Sequence, residues 1–97
     1  MKTEVAICEL CEREQVLTFH HLVPRKTHSK RPVTRLHTKE YMQVGINVCV
    51  DCHRTIHRRF DHMTLALEYY TLELLKHHEK LIKFVSWIKR QTKKAKM

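Results

Sequence analysis

Two pairs of cysteines with identical spacing are the first candidate metal ligands along this 97-residue chain. Cys8 and Cys11 form one Cys-x-x-Cys knuckle, and Cys49 and Cys52 form a second, with 37 residues between the two. Each knuckle aims two thiolates at one point, so two knuckles complete the tetrahedral four-cysteine site typical of structural zinc. Four unrelated thiols are the simpler alternative, and a redox motif lacks its βαβ context here. We therefore expect a structural Zn²⁺ that stabilises a chain whose hydrophobic core is small.

Four histidines form a second group, which a shared zinc would bring together. His20 and His21 end a run of strand-forming residues, whereas His53 follows Cys52 and His57 comes four residues later on the same face of an expected helix. Three imidazoles can hold a divalent cation and keep positions open for a substrate. Adjacent strand residues point to opposite faces, so one histidine of the doublet is expected to be a ligand and the other a general base. A basic, nucleic-acid-facing surface is the alternative explanation, with His53 as an outer neighbour of the zinc.

These motifs make the chain resemble the HNH endonuclease family, the ββα-metal nucleases, in its zinc-containing branch. The resemblance spans residues 8–57, about half of the chain. It rests on the first knuckle, on segment 19–24 (Phe-His-His-Leu-Val-Pro) and on segment 49–57 (Cys-Val-Asp-Cys-His-Arg-Thr-Ile-His). It implies a small α+β fold in which a ββα-metal motif, stapled by a Cys₄ zinc site, is followed by C-terminal α-helices.

The resemblance also implies roles for individual residues. The first histidine of the doublet is usually a ligand of the catalytic ion and the second is usually the general base, which assigns these roles to His20 and His21. The histidine after the second knuckle, His53, is implied as a ligand, and His57 as a further ligand as in the colicin-type nucleases. The implied catalytic cofactor is one divalent cation, namely Mg²⁺, Mn²⁺, Ni²⁺ or Zn²⁺.

One position departs from the family pattern. The asparagine that braces the loop holding the base usually lies nine residues before the histidine of the second helix, and that position is Val44 here. Gln43 and Asn47 are near but out of register, and we expect Asn47 to take a related catalytic role from a shifted hairpin.

The charge of the chain favours a polyanionic partner. Nineteen Lys and Arg residues against ten Asp and Glu residues give a formal net charge of +9. The basic residues close to the motifs are expected to contact phosphates, namely Arg25, Lys26, Arg54, Arg58 and Arg59. Together with the resemblance, this predicts an endonuclease that hydrolyses phosphodiester bonds of nucleic acid, with double-stranded DNA as the expected partner.

In the first half of the chain, short strands are expected to carry these residues. We expect a strand at 16–19 and a second one at 46–48, both rich in β-branched residues. Between them, residues 25–44 are expected to form an irregular basic loop, with one helical turn near 39–43.

The second half of the chain is expected to be helical. We expect a helix from the second knuckle to about Phe60, capped by Asp51. Apolar residues at helical spacing predict two further helices within 62–94, with a break near His77 and His78, followed by a basic tail. This apolar stripe is expected to pack on the rest of the domain, and a membrane-surface helix is the alternative.

Length and composition favour one small domain over residues 1–97, with the zinc-stapled core in 1–60 and a helical segment with its basic tail in 61–97. The sequence has no signal-peptide pattern and no apolar run long enough to cross a membrane. We therefore expect a cytoplasmic protein without a membrane partner.

Two other functions compete with the nuclease. A non-catalytic zinc-ribbon accessory protein that binds nucleic acid explains the cysteines and the charge, but not the four histidines. A helical interaction protein would use residues 62–94 as its working surface, with the zinc-binding part as an anchor.

Overall fold

The computed structural model describes residues 5–91, in which three strands and five helices make a small α+β fold. The strands are β1 (Val5–Ile7), β2 (Glu14–His21) and β3 (Gly45–Cys49). The helices are α1 (Arg31–Leu36), α2 (Val50–Arg59), α3 (His62–Glu68), α4 (Leu72–Lys76) and α5 (Glu79–Lys89).

The strands form one antiparallel sheet in the order β1-β2-β3, with the long β2 in the centre. The β2–β3 pairing ends at His21 opposite Gly45, so the histidine doublet lies at one end of this ladder and the second knuckle at the other. Because side chains alternate along a strand, Thr18 and His20 point to one face of the sheet and His21 to the other.

The two expected strands are present, and both are longer than expected. Strand β2 extends from 14 to 21 rather than over 16–19, and β3 extends from 45 to 49. Strand β1 is unexpected, because three exposed residues are too few to give an alternating pattern and it exists only through its pairing with β2.

Helix α2 follows β3 directly, and a cysteine caps it. The Cys49 Sγ accepts a hydrogen bond from the Cys52 backbone N–H at 3.5 Å. The expectation that Asp51 caps the first turn is therefore wrong. The Asp51 carboxylate instead pairs with the Arg13 guanidinium at 3.2 Å. The helix ends at Arg59, as expected, with Phe60 as its C-terminal cap.

The basic segment 25–44 is more ordered than the expected irregular loop. It contains α1 and two 3₁₀ turns, Arg25–Thr27 and Tyr41–Gln43, of which only the second is expected. Pro32 lies at the beginning of α1, where a missing N–H costs nothing. Burial of apolar side chains then holds the segment in place. This second core consists of Val23, Val33, Met42 and Ala66.

The C-terminal apolar stripe packs on the half of the chain that contains the four cysteines, as expected, but it forms three helices rather than two. The chain breaks at the expected His77–His78, and it also breaks at residues 69–71, where the Thr71 hydroxyl caps α4. The buried residues of this stripe share the main core with the four cysteines, and they are Leu65, Leu75, Leu81 and Ile88. The expected basic tail at 93–96 lies outside the described residues. Within 5–91, none of the helices has the length and apolar character needed to cross a bilayer.

Candidate functional site

The four cysteines converge on one point at the junction of the knuckles. All four are buried, and their sulfur atoms lie within 4.8 Å of one another. Thiolates about 2.3 Å from a tetrahedral zinc ion are separated by roughly 3.8 Å. The Sγ atoms of Cys11 and Cys49 are 3.8 Å apart. The cluster therefore has the size and the donor set to hold a structural metal such as zinc.

Backbone N–H groups point at these sulfur atoms, as they do around metal-bound thiolates. The Cys8 Sγ accepts from the N–H of Cys11 at 3.4 Å and from that of Cys49 at 3.3 Å. The Arg13 guanidinium lies 3.7 Å from the Cys49 Sγ, so a positive charge faces the cluster. Each of these contacts stabilises negative charge on sulfur.

The pKa values of Cys8 and Cys11 are lowered, whereas the pKa of Cys52 is raised. Hydrogen bonds from Cys11, and then from Cys49 and Cys52, hold the pKa of Cys8 far below its usual range. Hydrogen bonds from Cys49 and Cys52 lower the pKa of Cys11 to about 6. Hydrogen bonding to Cys11 and Cys49, together with burial, raises the pKa of Cys52 well above its usual range. A bound cation such as zinc could stabilise all four sulfur atoms as thiolates.

Three of the four predicted histidines form the second cluster. Each of His20, His53 and His57 offers a ring nitrogen within 4.8 Å of the other two. The ring centroids are 5.3 Å apart for His20 and His53, 5.2 Å for His20 and His57, and 5.0 Å for His53 and His57. Strand β2 supplies the first ring, and one face of α2 supplies the other two.

His20 is the most unusual member of this cluster. Its side chain is 1% exposed, and neither ring nitrogen has a hydrogen-bond partner within the described residues. A buried polar group without a partner costs about 1–3 kcal/mol, so such groups are rare unless they serve a ligand. Burial, followed by repulsion from His57 and His53, lowers the pKa of His20 to about 3. The ring is therefore neutral at pH 7 and has a lone pair for a cation.

The same cause keeps the other two rings neutral. Burial lowers the pKa of His53. Burial also lowers the pKa of His57, with further repulsion from His53 and His62. Neutral imidazole is the form that ligates metals, so the cluster suits a divalent cation at neutral pH.

His21 lies outside this triad and lines a cleft of about 260 Å³. The cleft brings it together with two ligand-type histidines and with basic side chains, and its lining consists of Phe19, His21, Pro24, Arg25, Lys26, His53, His57 and His62. Burial lowers the pKa of His21, and repulsion from His28 and Arg25 lowers it further. A neutral imidazole in this position can accept a proton from a water molecule.

The only glycine of the chain, Gly45, lies next to the Phe19 ring, which lines this cleft. This role of the glycine was not predicted from the sequence. Gly45 lies opposite His21, and a Cβ there would come within 2.3 Å of the Phe19 Cζ and 2.5 Å of the His20 carbonyl oxygen. The Phe19 ring can therefore cover β3 and meet the His21 ring edge-on at 4.9 Å. The signal in the sequence was the single glycine next to a predicted strand.

The basic residues divide between the cleft and the open surface. Arg25 and Lys26 line the cleft of His21, and Arg54 lines a neighbouring groove of about 290 Å³ together with Thr18, Val50, His53 and His57. Arg58 and Arg59 are exposed on α2 and line neither of these two hollows. His62, a cleft residue that sequence reasoning missed, has its ring 5.5 Å from that of His57.

Asn47 and Val44 occupy positions that differ from the family pattern. Asn47 is exposed on β3 opposite Phe19, its backbone is hydrogen-bonded to Glu9, and it is not among the residues that line the cleft of His21. Val44 contributes its carbonyl, which accepts a hydrogen bond from the Leu22 N–H at 3.2 Å. A backbone bond thus braces the residue that follows His21.

Comparison with known proteins adds a relative but no activity. A scan against protein-family models finds no match, and no solved structure matches. The chain is 32% identical over 91 residues to the uncharacterized protein YisB of Bacillus subtilis (strain 168). The similarity covers 93% of this chain and 80% of that protein.

Proposed function

The chain belongs to the family of the uncharacterized Bacillus subtilis protein YisB, and from the site itself we propose that it is an HNH endonuclease. In this proposal β2, β3 and α2 form the ββα-metal motif, and the enzyme hydrolyses phosphodiester bonds of nucleic acid, with double-stranded DNA as the expected substrate. The observation that carries the proposal is His20. A fully buried imidazole with two unpartnered nitrogens faces His53 and His57, beside a cleft that contains His21.

His20, His53 and His57 would hold one divalent ion, and this ion would supply positive charge that stabilises the negative charge developing on the reacting phosphate. His21, neutral at pH 7, accepts a proton from a water molecule in the cleft. The water oxygen forms a bond to phosphorus while the bond from phosphorus to the 3′ oxygen breaks. The 3′ oxygen leaves and takes a proton from solvent, and His21 later returns its proton to solvent.

The charge of the cleft supports a phosphate substrate. Arg25 and Lys26 line the cleft beside His21, and Arg54 lines the adjoining groove. Phosphates on either side of the scissile bond can therefore contact these cationic side chains while the reacting phosphate lies near the histidines.

Nicking of a supercoiled plasmid tests this function. The protein is supplied with one zinc ion per chain for the cysteines, and Mg²⁺, Mn²⁺, Ni²⁺ or further Zn²⁺ is added. We expect nicking that depends on the added ion and falls by about 100-fold or more in His57→Ala, because a ligand is lost.

The matched control is His77→Ala. His77 is an exposed histidine at the end of α4 that bonds to its own helix, so nicking should be unchanged. Equal nicking by His57→Ala and wild type, with zinc content intact in both, would contradict the proposal.

A second candidate function is favoured because Asn47 does not lie at the position of the bracing asparagine. Val44 stands where the family pattern has the bracing residue, and Asn47 is exposed away from the cleft lining. A zinc-ribbon protein that binds nucleic acid without cutting it needs no such brace. Metal stoichiometry separates the two, because the binding protein holds one zinc per chain, whereas the nuclease also takes a weaker, exchangeable ion.

A further inference from the structure

One member of the histidine triad is oriented by a hydrogen bond. The Thr18 Oγ1 lies 2.8 Å from the His53 Nδ1 and 3.0 Å from the Val48 carbonyl oxygen. Within the described residues, the rings of His20 and His57 have no such bond. Thr18 therefore contacts the triad from outside, through one specified nitrogen.

One arrangement of protons satisfies both contacts of the Thr18 hydroxyl. A carbonyl oxygen only accepts, so the bond to Val48 uses the single hydroxyl proton of Thr18. In this arrangement the Thr18 oxygen accepts from His53, with the proton of the imidazole on Nδ1. The Nε2 of His53 is left with its lone pair. The opposite arrangement, in which the hydroxyl donates to Nδ1, would leave the Val48 carbonyl without this bond.

We propose that Thr18 is a positioning residue that holds His53 as the Nδ1–H tautomer and so presents its Nε2 to a divalent cation. This inference rests on the proposed function for the identity of the cluster, and it deepens that function by naming the residue that prepares one ligand. Ligating histidines commonly donate their second nitrogen to such an outer partner, which fixes the tautomer and the plane of the ring.

The fold gives Thr18 this role for physical reasons. It lies two residues before His20 on β2, so both side chains point to the face of the sheet that α2 covers. Its branched Cβ restricts rotation about χ1, which keeps the hydroxyl in place. Its partner Val48 is directly opposite on β3 and is fully buried.

The Thr18 hydroxyl also differs in chemistry from a carboxylate, which often accepts the hydrogen bond from the second nitrogen of a metal-binding histidine. A neutral acceptor orients the imidazole without adding negative charge next to the cation. The ion keeps more of its positive charge, which favours an anionic phosphate as the substrate.

The first test is the tautomer of His53 in zinc-loaded protein without any further metal. Long-range ¹H–¹⁵N spectra of ¹⁵N-labelled wild type distinguish the Nδ1–H form from the Nε2–H form. We expect the Nδ1–H form for His53 in wild type and in Thr18→Ser, and a shift towards the Nε2–H form in Thr18→Val. An Nε2–H ring in wild type overturns the inference, even if Thr18→Val fails to fold.

The second test is the affinity for Co²⁺, measured by calorimetry on the full chain with one zinc ion per chain already bound. Thr18→Val should bind Co²⁺ about 10–100-fold more weakly than wild type, the effect expected for loss of an outer partner. Thr18→Ser should bind within about 3-fold of wild type, since it keeps the oxygen. Thr34→Val is the matched control, because this exposed hydroxyl bonds only to the Arg31 carbonyl of its own helix.

These readouts are separate from cleavage. If the tautomer and the Co²⁺ affinity depend on Thr18 but no plasmid is nicked, the endonuclease proposal fails and the inference about Thr18 stands. If nicking depends on His57 while Thr18→Val binds Co²⁺ as tightly as wild type, the inference about Thr18 fails alone. Zinc content and circular dichroism of each variant exclude a general loss of structure.

Discussion

Replacement of His20 by leucine is expected to stabilise the fold while it removes the second metal site. His20 is fully buried, and both of its ring nitrogens lack a partner within the described residues. Each unsatisfied buried polar group costs about 1–3 kcal/mol, and leucine fills a similar volume without polar atoms. We therefore expect His20→Leu to raise the free energy of unfolding by about 1–3 kcal/mol at pH 7 when only the cysteine zinc is bound.

The gain should grow in acid. In the folded chain the pKa of His20 is lowered to about 3, from 6.5 when it is free. The pH-dependent penalty from this residue is therefore absent well above pH 6.5 and grows as the pH falls from 6.5 towards 3. At pH 5 the unfolded chain binds a proton that the folded chain does not, which costs wild type about 2 kcal/mol through this residue. His20→Leu lacks this penalty.

Thermal unfolding followed by far-ultraviolet circular dichroism measures both effects. For a chain of this length, about 1 kcal/mol corresponds to a shift of roughly 4–8 °C in Tm. Samples with one zinc ion per chain are compared at pH 7 and pH 5, with and without Mn²⁺. Wild type should gain about 2.7 kcal/mol from Mn²⁺ at 100 times its Kd, and His20→Leu should gain nothing.

Two results would refute this reasoning. A lower Tm for His20→Leu at pH 7 without Mn²⁺ would mean that the imidazole stabilises the fold, so its unpartnered nitrogens would not indicate a ligand. An equal gain from Mn²⁺ in both proteins would mean that the ion binds elsewhere.

Three further outcomes follow from the same structure. Cys52→Ser removes a buried zinc ligand, and because structural zinc supplies about 10–16 kcal/mol of apparent binding energy, no cooperative thermal transition should remain. Gly45→Ala places a Cβ against the Phe19 ring and the His20 carbonyl, so the Tm should fall by an amount equivalent to about 1–3 kcal/mol. Replacement of both Arg25 and Lys26 by alanine should reduce the slope of log affinity against log salt, measured by fluorescence anisotropy with duplex DNA, by about 1.8. The first expectation would be contradicted by a stable Cys52→Ser protein. The second would be contradicted by an unchanged Tm for Gly45→Ala, and the third by an unchanged salt slope for the double variant.

The chemistry-bearing clusters could be predicted because their spacing constrains geometry directly. Two equal knuckles leave one common point for four sulfur atoms, and four residues of helix separate His53 from His57 by about one turn. Once the knuckles are joined, His20 has to lie near the beginning of the same helix. In the structure the four cysteines lie together and three of the four histidines lie together, as their spacing predicts.

Predictions made from neighbouring residues were wrong where a residue distant in sequence makes the decisive contact. Asp51 has the type and position of a helix cap, but the sulfur of Cys49 already accepts the Cys52 N–H, and Arg13, 38 residues away in sequence, attracts the carboxylate. Similarly, α1 could not be predicted from its basic sequence. It forms because Val33 is buried in the second core, against a helix that begins some thirty residues later.

The roles of two supporting residues could not be predicted from the sequence, although the single glycine marks the position of one of them. Thr18 and Gly45 matter only through the register of β2 against β3, which sets Thr18 opposite Val48 and Gly45 opposite His21. The register depends on turn geometry and on the packing of both faces, neither of which can be inferred from a single threonine or glycine.

A comparison of His21→Ala with wild type in two parallel assays tests whether the protein is a nuclease with a histidine general base. Under the proposed mechanism His21 moves a proton but is not a ligand of the ion. The variant should bind Mn²⁺ within about 2-fold of wild type and nick supercoiled plasmid about 100–10,000-fold more slowly, the range typical of a lost general base. Nicking at the wild-type rate, by a variant that keeps its zinc and its second ion, would contradict the account.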